Sequence, residues 1–249
     1  MDGHCLITGG GTGLGRAVAE ALGSTHAVTL VGRRAGPLEA VAQRLPRAAA
    51  RPADVTDRDA LAAVAGEAAA QWGPITALVA AAGISETAPL AKTPAEMLRR
   101  MMAVNVEGVL FAMQSVLPGM LAAGHGRIVV IASTAALKGY AYAGAYAASK
   151  HAVLGLVRSL ALETAKTGVT VNAVCPGFAD TEMTEASIAR ICEATGRSAD
   201  EARAALAAHN PMGRLVAPAE VADTVRWLVG PDAGAITGQA VPVAGGEVM

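Results

Sequence analysis

The sequence predicts an α/β fold in which helices cover both faces of a doubly wound parallel sheet. Short apolar runs without polar alternation recur along the chain and are separated by longer Ala-rich helical runs. Such runs are typical of strands buried on both faces, as parallel sheets require. Only 3% of the 249 residues are aromatic while 53% are hydrophobic, so small aliphatic side chains must build the core. Small side chains suit helices that pack closely on a sheet.

The predicted elements follow one another with short connections. Strands are predicted at residues 5–8, 27–31, 77–80, 127–132, 169–175 and 240–243. Helices are predicted at residues 16–22, 37–45, 60–72, 95–121, 146–164, 199–208 and 220–228. Thr56, Thr93 and Ser198 are each followed three residues later by an acid, which is a helix-capping signal. Right-handed crossovers are expected, and no repeat or linker divides the chain, so residues 1–249 are predicted to form a single domain.

Residues 183–214 form the least sheet-like segment, because they are polar and helical with no strand between their parts. A long excursion after a strand end is where a substrate lid would lie. The alternative interpretation is a pair of surface helices that only pack on the domain.

Composition excludes several classes of protein. The net charge is −1 without a basic cluster, so neither nucleic acid nor an anionic membrane is an expected partner. The apolar runs stay short of the ~20 residues of a membrane span, and the first residues lack the basic region of a signal peptide. Three cysteines far apart suit reduced thiols and a cytoplasmic protein. The histidines are scattered, and no metal site is predicted.

The first predicted strand runs into a glycine-rich turn that opens the first helix. Rossmann-type dinucleotide sites place their phosphate-binding turn here, where glycines permit a tight turn, close approach to the pyrophosphate and helix–strand packing. The spacing differs from Gly-x-Gly-x-x-Gly, and a merely flexible turn is the alternative. The predicted cofactor-binding residues of this turn are Gly9, Gly11, Thr12, Gly13, Leu14 and Gly15.

The end of the second predicted strand bears on the choice of cofactor. An NAD site would place an acid there for the ribose 2′-hydroxyl, but the chain has Arg33 and Arg34, and the next acid is Glu39. Guanidinium groups suit a 2′-phosphate, which they bind through paired hydrogen bonds. We therefore favour NADP(H) over NAD(H), with Arg33 and Arg34 as ligands. Two arginines simply solvated at a strand end are the alternative.

Three side chains converge at the same edge of the predicted sheet. Tyr146 and Lys150 lie one turn apart on one helix face, and Ser133 follows the strand at 127–132. Ligands of open α/β sheets bind beyond the carboxyl ends of the strands, so these groups meet beside the glycine turn. A free tyrosine has a pKa of about 10. We expect the Lys150 ammonium and, in the oxidation direction, a cationic nicotinamide to favour the phenolate and so to lower the pKa of Tyr146 towards neutrality, as general acid–base catalysis needs.

Taken together, the motifs resemble the short-chain dehydrogenase/reductase family over essentially the whole chain. They are Thr8-Gly9-x-x-x-Gly13-x-Gly15, Asp54-Val55, Asn105-Val106-Glu107-Gly108, Ser133, Tyr146-x-x-x-Lys150 and Pro176-Gly177. The resemblance implies an NAD(P)-dependent carbonyl reductase or alcohol dehydrogenase that assembles as a homotetramer. It implies that Tyr146 is the acid/base and Ser133 hydrogen-bonds the substrate oxygen. Lys150 would hold the nicotinamide ribose, and Asn105 would support a water relay to Lys150.

The resemblance implies further cofactor contacts. Asp54 would cap the adenine with Val55 beside it, although a turn or helix cap is the alternative for this carboxylate. The loop after Pro176 and Gly177 would meet the carboxamide, with Thr181 as donor. Where the family usually has Asn-Asn-Ala-Gly, the chain has Ala80-Ala81-Ala82-Gly83. Backbone contacts of Ala82 and Gly83 to the ribose are still expected, but local rigidity is in question because the side chains that tie neighbouring strands are missing.

Residues 169–178, 195–202 and 211–214 are similar to reductases of β-ketoacyl thioesters, polyketide ketoreductases and 3-hydroxyacyl dehydrogenases. The similarity implies a 3-oxoacyl or 3-hydroxyacyl thioester or acid as the substrate. The alternatives are a secondary-alcohol dehydrogenase for cyclic, aryl, sterol or polyol substrates and a non-catalytic NADPH sensor. The substrate pocket is predicted to comprise Ser133, Ala135, Tyr140, Tyr142 and Phe178. Candidates for binding a substrate carboxylate or phosphate are Arg190, Arg197, Arg203 and Arg214.

Overall fold

The computed structural model describes residues 3–249, which form one parallel sheet of seven strands in the order β3-β2-β1-β4-β5-β6-β7. The strands are β1 (Gly3–Thr8), β2 (His26–Gly32), β3 (Ala48–Pro52), β4 (Ala77–Ala80), β5 (Gly126–Ile131), β6 (Val169–Pro176) and β7 (Ala240–Val243). The strand order reverses between β1 and β4, and such a reversal opens a crevice at the carboxyl ends of the strands. The predicted doubly wound fold is confirmed.

Helices cover both faces of the sheet. They are α1 (Gly13–Leu22), α2 (Ala35–Ala42), α3 (Arg58–Trp72), α4 (Ala95–Met102), α5 (Gly108–Ala123), α6 (Gly144–Thr164), α7 (Glu182–Thr195), α8 (Ala199–Ala207) and α9 (Pro218–Val229). One apolar core packs α1, α2 and α9 on the sheet through residues such as Val18 and Val225. The opposite core packs α3, α5 and α6 through residues such as Leu61 and Val157. Small aliphatic side chains dominate both cores, as the composition predicts.

Strand β3 was not predicted from the sequence. Its residues Ala48–Pro52 include no β-branched or aromatic side chain, so they carry no strand signal. The strand forms because its backbone pairs in register with residues 28–32 of β2. It is an edge strand, where the missing N–H of Pro52 is tolerated. The opposite edge, β7, likewise contains a proline, Pro242.

The helix predicted at residues 95–121 is interrupted by a π-helical turn at Ala103–Glu107, between α4 and α5. Single π turns are frequent at functional sites. This one contains Asn105, which is fully buried. The π turn therefore places the amide side chain of Asn105 in the protein interior.

Of the three predicted helix caps, only one is confirmed. Ser198 and Glu201 form a reciprocal capping box at the start of α8. The prediction at Thr56 is wrong, because Asp57 caps α3 by accepting a hydrogen bond from the Ala60 backbone N–H. The prediction at Thr93 is also wrong. Its hydroxyl donates to the Pro89 carbonyl, because the chain turns there before α4 begins.

The segment Ala95–Ala123, which joins α4, the π turn and α5, is 29 residues long. Its most apolar window has a mean hydropathy of 1.4, so by length and composition alone it is sufficient to cross a membrane. The expectation that no apolar run reaches that length is therefore wrong. In the structure 33% of that window is buried, and Val109, Met113 and Met120 of α5 pack into the core beside α3.

Candidate active site

The glycine turn after β1 has the backbone geometry that its sequence predicts. Gly9 and Gly13 have positive φ angles of 70° and 51°, which L-residues rarely adopt. A Cβ added to Gly15 would lie 2.2 Å from the Gly9 carbonyl oxygen, so only glycine permits this contact of helix on turn. The turn opens α1 at Gly13, which directs the free N–H groups of a helix start to the cleft above the sheet. These features fit a dinucleotide pyrophosphate.

A cavity adjoins this turn at the carboxyl ends of β1, β2 and β4. Among the predicted cofactor residues, those that line it are Gly9, Gly11, Thr12, Arg33, Arg34, Asp54, Val55, Ala82 and Gly83. Leu14 instead packs against the core beside α1 and α9. Thr181 lies on the other side of the turn, where its side chain approaches Gly13. The structure thus brings the two halves of the predicted cofactor site together around one glycine turn.

The arginines and the acid of this cavity lie close enough to interact. Arg33 and Arg34 are exposed at the end of β2. The pKa of Asp54 is held below its usual value, first by hydrogen bonds from Thr56 and also by the charge of Arg33. Asp54 Oδ1 accepts from the Thr56 N–H at 3.0 Å and from its hydroxyl at 2.9 Å. Asp54 therefore shapes its own turn and also lines the cavity, so both of its interpretations are compatible with the structure.

The replacement of the usual asparagines by Ala80 and Ala81 leaves backbone ties in place. The Ala81 N–H donates to the Thr8 carbonyl, and the Ala82 N–H donates to the Thr8 hydroxyl at 3.3 Å. A Cβ added to Gly9 would lie 2.8 Å from the Ala82 nitrogen, so the two turns are in close contact. Thr8 is the residue that the sequence analysis did not assign here. Its hydroxyl supplies a link between β1 and the segment after β4.

Ser133, Tyr146 and Lys150 meet beside the cavity, as the sequence predicts. Ser133 follows β5 and is hydrogen-bonded to the Tyr146 side chain, while its Oγ also accepts from the Ala135 N–H. Lys150 is only 5% exposed, and its ammonium donates to the Ile131 carbonyl at 2.9 Å. The Lys150 Nζ lies 5.8 Å from the centre of the Tyr146 ring. Two of the three ammonium donors therefore remain for other groups.

Asn105 ties the π turn to the catalytic helix. Its Oδ1 accepts from the Ile84 N–H at 2.8 Å, and its Nδ2 donates to the Ile84 carbonyl and to Ser149 Oγ, both at 3.0 Å. Ser149 in turn donates to the Tyr146 carbonyl at 2.7 Å. The side chain of Asn105 is thus committed to fixing its neighbours. Ser149 was not assigned from the sequence, although its position beside Lys150 in the motif would have pointed to it.

The pKa shifts at this cluster differ from the expectation. Burial raises the pKa of Tyr146 above its usual value, and the hydrogen bond with Ser133 offsets this in part. Burial also lowers the pKa of Lys150 to about 8. The prediction that Lys150 draws the pKa of Tyr146 down is therefore not what the protein groups alone produce. Desolvation disfavours charge on both side chains and is the largest cause of both shifts.

On the far side of Ser133, three rings form what we call the aromatic cluster: Tyr140, Phe178 and His209. The ring centres of Tyr140 and Phe178 are 6.1 Å apart, and His209 lies 5.7 Å and 5.3 Å from them. His209 was not predicted to lie here. Tyr142 does not belong to this cluster. It is 66% exposed with a φ of 66°, so its predicted place in the pocket wall gains no support.

A carboxylate from the end of the chain also reaches this region. Tyr140 donates its hydroxyl hydrogen to Glu247 Oε1, and Lys138 Nζ lies 3.2 Å from the same oxygen. Glu247 was not predicted from the sequence to lie at the site. Nothing in the local sequence places the last residues beside a loop more than a hundred positions earlier.

The segment at residues 183–214, predicted as a lid or as packed surface helices, contains α7 and α8 with a small core of their own. That core is built on Ile188, Ala202 and Leu206, and Phe178 packs against it. Arg190 reaches across to the Ser85 carbonyl, 3.2 Å away. The structure therefore places this segment directly beside the aromatic cluster, and its movement stays a prediction.

Most of the arginines proposed to bind a substrate anion already have protein partners. Arg203 pairs with Asp180 and Glu185, and Arg214 forms two hydrogen bonds with Glu220. Both guanidinium groups are therefore held in ion pairs at the protein surface. Their prediction as substrate ligands loses its basis, because binding an anion there would require breaking an ion pair. Arg197, which is exposed, remains a candidate.

Within residues 3–249, no three His, Cys, Asp or Glu side chains are grouped so as to hold a metal ion.

Comparison with known proteins bears directly on this arrangement. Residues 3–191 match the family model described as short chain dehydrogenase. The chain is 37% identical to a putative ketoacyl reductase of Streptomyces coelicolor, over 97% of this chain and 95% of the relative. It is also 37% identical to cis-4-hydroxycyclohexanecarboxylate dehydrogenase of Sinomonas cyclohexanicum, over 97% and 94%. A crystal structure of an actinorhodin polyketide ketoreductase variant with NADPH superposes with a TM-score of 0.95 at 36% identity, covering 99% of this chain and 97% of that one.

Proposed function

Since the chain belongs to the short-chain dehydrogenase/reductase family of oxidoreductases, we propose that it reduces 3-oxoacyl thioesters or acids to 3-hydroxyacyl products with NADPH. One observation carries the reaction type. Ser133, Tyr146 and Lys150 meet at the carboxyl edge of the sheet, beside the cavity that adjoins the glycine turn. The relatives named as ketoacyl reductases support the substrate class.

The preference for NADP(H) over NAD(H) rests on the charges at the end of β2. Arg33 and Arg34 line the cavity, and its one lining carboxylate, Asp54, is already bonded to Thr56 and lies in the field of Arg33. A 2′-phosphate would find two guanidinium groups here. The NADPH complex of the actinorhodin ketoreductase variant, which shares the fold, is consistent with this choice.

The residues of the chain supply the acid–base part of the reaction. A nicotinamide cofactor, when bound, would supply the hydride. Tyr146 donates its proton to the carbonyl oxygen, and because burial raises the pKa of Tyr146, the phenol stays protonated and ready to donate at neutral pH. Ser133 holds the same oxygen and stabilises the developing alkoxide. Lys150, with two free donors, binds the ribose and supports proton transfer to Tyr146. Asn105 fixes the start of α6 through its hydrogen bond to Ser149.

A second candidate function is oxidation or reduction at a cyclic secondary alcohol or ketone. The aromatic cluster of Tyr140, Phe178 and His209 offers ring faces and edges that suit a cyclic substrate. The similarity to cis-4-hydroxycyclohexanecarboxylate dehydrogenase points the same way. A non-catalytic NADPH sensor is the third alternative, and the complete set of Ser133, Tyr146 and Lys150 argues against it.

Steady-state rates decide between these functions. The purified protein is assayed with acetoacetyl-CoA and with cyclohexanone, each with NADPH and with NADH. We expect acetoacetyl-CoA with NADPH to have the highest kcat/KM. An equal or higher kcat/KM on cyclohexanone would contradict the acyl proposal while leaving the oxidoreductase intact. Binding of NADPH without turnover of any ketone would favour the sensor.

We also propose that the protein is a cytoplasmic homotetramer, as its composition and the family suggest. Exposed apolar side chains on three helices support assembly, since Leu121, Leu162 and Trp227 are 42%, 81% and 46% exposed. Light scattering during gel filtration tests the assembly, because a monomer peak at micromolar concentration would contradict it.

A further inference from the structure

Glu247 is an acid held almost completely inside the protein beside the aromatic cluster. Its side chain is 1% exposed. Its Oε1 accepts a hydrogen bond from the Tyr140 hydroxyl and lies 3.2 Å from Lys138 Nζ, and its backbone carbonyl also accepts from Lys138. The Tyr140 oxygen is also 2.5 Å from the Thr134 hydroxyl. A hydrogen-bonded chain therefore runs from Thr134, one residue after Ser133, to Glu247.

The other carboxylate oxygen faces the loop that follows β6. Glu247 Oε2 is buried and has no hydrogen-bond partner among residues 3–249. A Cβ added to Gly177 would lie 2.8 Å from this oxygen. Gly177 itself donates its N–H to the Val243 carbonyl at the end of β7. The carboxylate thus fills the space between Tyr140, a predicted residue of the substrate pocket, and Gly177, which belongs to the predicted nicotinamide loop.

The segment that carries Glu247 is itself held in place. Gly245 and Gly246 have positive φ angles of 59° and 90°, which turn the chain back over the site. The Asn210 side chain packs against Gly245 so closely that an added Cβ would lie 2.0 Å from its Oδ1. The Asn210 Oδ1 accepts from the Met212 N–H at 2.9 Å. Residues 243–247 therefore link the lid segment to the substrate wall.

A buried carboxylate is expensive unless it is paired and hydrogen-bonded, and an apolar side chain of similar size is often at least as stable in its place. Here the phenol and the ammonium compensate Oε1, but Oε2 is left without a donor. Stability alone therefore does not account for an acid at this position. The acid does orient Tyr140, because it accepts the hydrogen bond of the Tyr140 hydroxyl and so helps to fix the ring that contacts Phe178.

We propose that Glu247 is a positioning and specificity-determining residue of the reductase. By holding Tyr140, it sets the wall against which the ketone lies, so that the carbonyl is presented to Tyr146 and Ser133. This role rests on the proposed ketone reduction but not on the acyl class of the substrate. Glu247 acts through Tyr140 and touches neither hydride nor proton transfer.

The test compares Glu247→Gln, Glu247→Ala, Tyr140→Phe and the double variant Tyr140→Phe/Glu247→Ala, on whichever ketone the wild type reduces fastest. We expect Glu247→Ala to raise KM for the ketone about tenfold and to lower kcat less than threefold, because orientation of the bound substrate is lost. Glu247→Gln, which keeps an acceptor for the phenol, should recover most of this loss. The double variant should be no worse than the poorer single variant, since the two side chains act as a unit.

The matched control is Glu67→Gln, which removes a surface carboxylate of α3 that pairs with Arg51 of β3. It should leave KM and kcat unchanged. An effect of Glu67→Gln as large as that of Glu247→Ala would overturn the proposal, and so would an unchanged KM in Glu247→Ala. Multiplying effects in the double variant would overturn it as well, because they would show that Glu247 acts independently of Tyr140.

A second measurement needs no substrate. The chain has three tyrosines, so incorporation of 3-fluorotyrosine gives three ¹⁹F resonances, and the Tyr140→Phe variant assigns one of them. We expect Glu247→Ala and Glu247→Gln to shift the Tyr140 resonance and to leave that of the exposed Tyr142 in place. A Tyr140 resonance that does not respond overturns the role of Glu247 even if the protein reduces ketones. A clear shift in a protein that reduces no ketone would instead count against the proposed function.

Discussion

The Lys150 ammonium hydrogen-bonds the Ile131 carbonyl 2.9 Å away, and its nitrogen lies 5.8 Å from the centre of the Tyr146 ring. The two residues of the catalytic motif are therefore neighbours without a direct ion pair. Burial opposes charge on each of them, because it lowers the pKa of Lys150 to about 8 and raises that of Tyr146. A cofactor that brings positive charge to the site would favour the phenolate, which is the state that alcohol oxidation needs.

The pKa of Lys150 predicts how stability changes with pH. Its value of about 8 in the folded protein lies below the ordinary 10.5, so between these pH values the unfolded chain binds a proton that the folded protein does not. Stability from this group therefore rises with pH across that window. Between pH 8 and 9.5 the wild type should gain about 2 kcal/mol in unfolding free energy relative to Lys150→Met. Urea unfolding at both pH values measures it, and a pH-independent difference would be inconsistent with the buried lysine.

Removal of the phenol hydroxyl should stop the reaction without harming cofactor binding. Tyr146→Phe is expected to lower kcat by about a thousandfold, because the phenol is the proton donor of the proposed reaction. Ser133→Ala should lower kcat by roughly a hundredfold through loss of an alkoxide donor. The Kd for NADPH, measured by quenching of tryptophan fluorescence, should stay within twofold of the wild-type value in both variants. Turnover by Tyr146→Phe at the wild-type rate would rule out the proposed acid.

Arg33 should determine the choice between the two nicotinamide cofactors. Arg33→Ala is expected to lower kcat/KM for NADPH about tenfold, which corresponds to ~1.4 kcal/mol, and to leave kcat/KM for NADH unchanged. The control is Arg44→Ala, which removes a surface guanidinium paired with Glu20 away from the cavity. If the ratio of kcat/KM for NADPH to kcat/KM for NADH is the same in Arg33→Ala as in the wild type, the 2′-phosphate assignment fails.

Two Gly→Ala changes, one in the glycine turn and one in α3, should have opposite effects on stability. At Gly15 the new methyl group would meet the Gly9 carbonyl at 2.2 Å, so the turn must shift and both stability and NADPH affinity should fall. A loss of about 1–3 kcal/mol is typical of such overpacking. At Gly66, exposed in α3, an added Cβ meets nothing within 4 Å. Gly66→Ala should therefore gain about 0.5–1 kcal/mol from helix propensity. Thermal melts of both variants test the contrast, and equal shifts would disprove it.

Much of the fold could be predicted because local and global signals agree. Six of the strands are short, largely apolar runs, and each lies in the sheet close to its predicted bounds. The β3 strand was missed since Ala48–Pro52 has no strand propensity, and pairing with β2 alone imposes its conformation. The π turn was missed for a related reason. Its residues follow a helical pattern, and only the placement of Asn105 in the interior requires an extra residue in the turn.

The candidate site divides along the same line. Ser133, Tyr146 and Lys150 were predictable because each follows a strand end or shares a helix face, so sequence spacing alone brings them together. Glu247 and His209 were not, since tertiary folding alone places them beside Tyr140. The shift that the protein's own groups cause in the pKa of Tyr146 was also not predicted. Sequence indicates that a charged lysine is near, but only the structure shows that burial is the largest cause of the shift.

Both edges of the sheet are guarded against unwanted partners. The outermost strands each contain a proline, Pro52 in β3 and Pro242 in β7. A proline cannot donate to a neighbouring strand, so neither edge can extend its hydrogen-bond ladder in full with a strand from another molecule. The poor strand propensity that hid β3 from sequence-based prediction thus serves solubility. Replacing Pro52 with valine would strengthen the strand and at the same time raise the risk of aggregation.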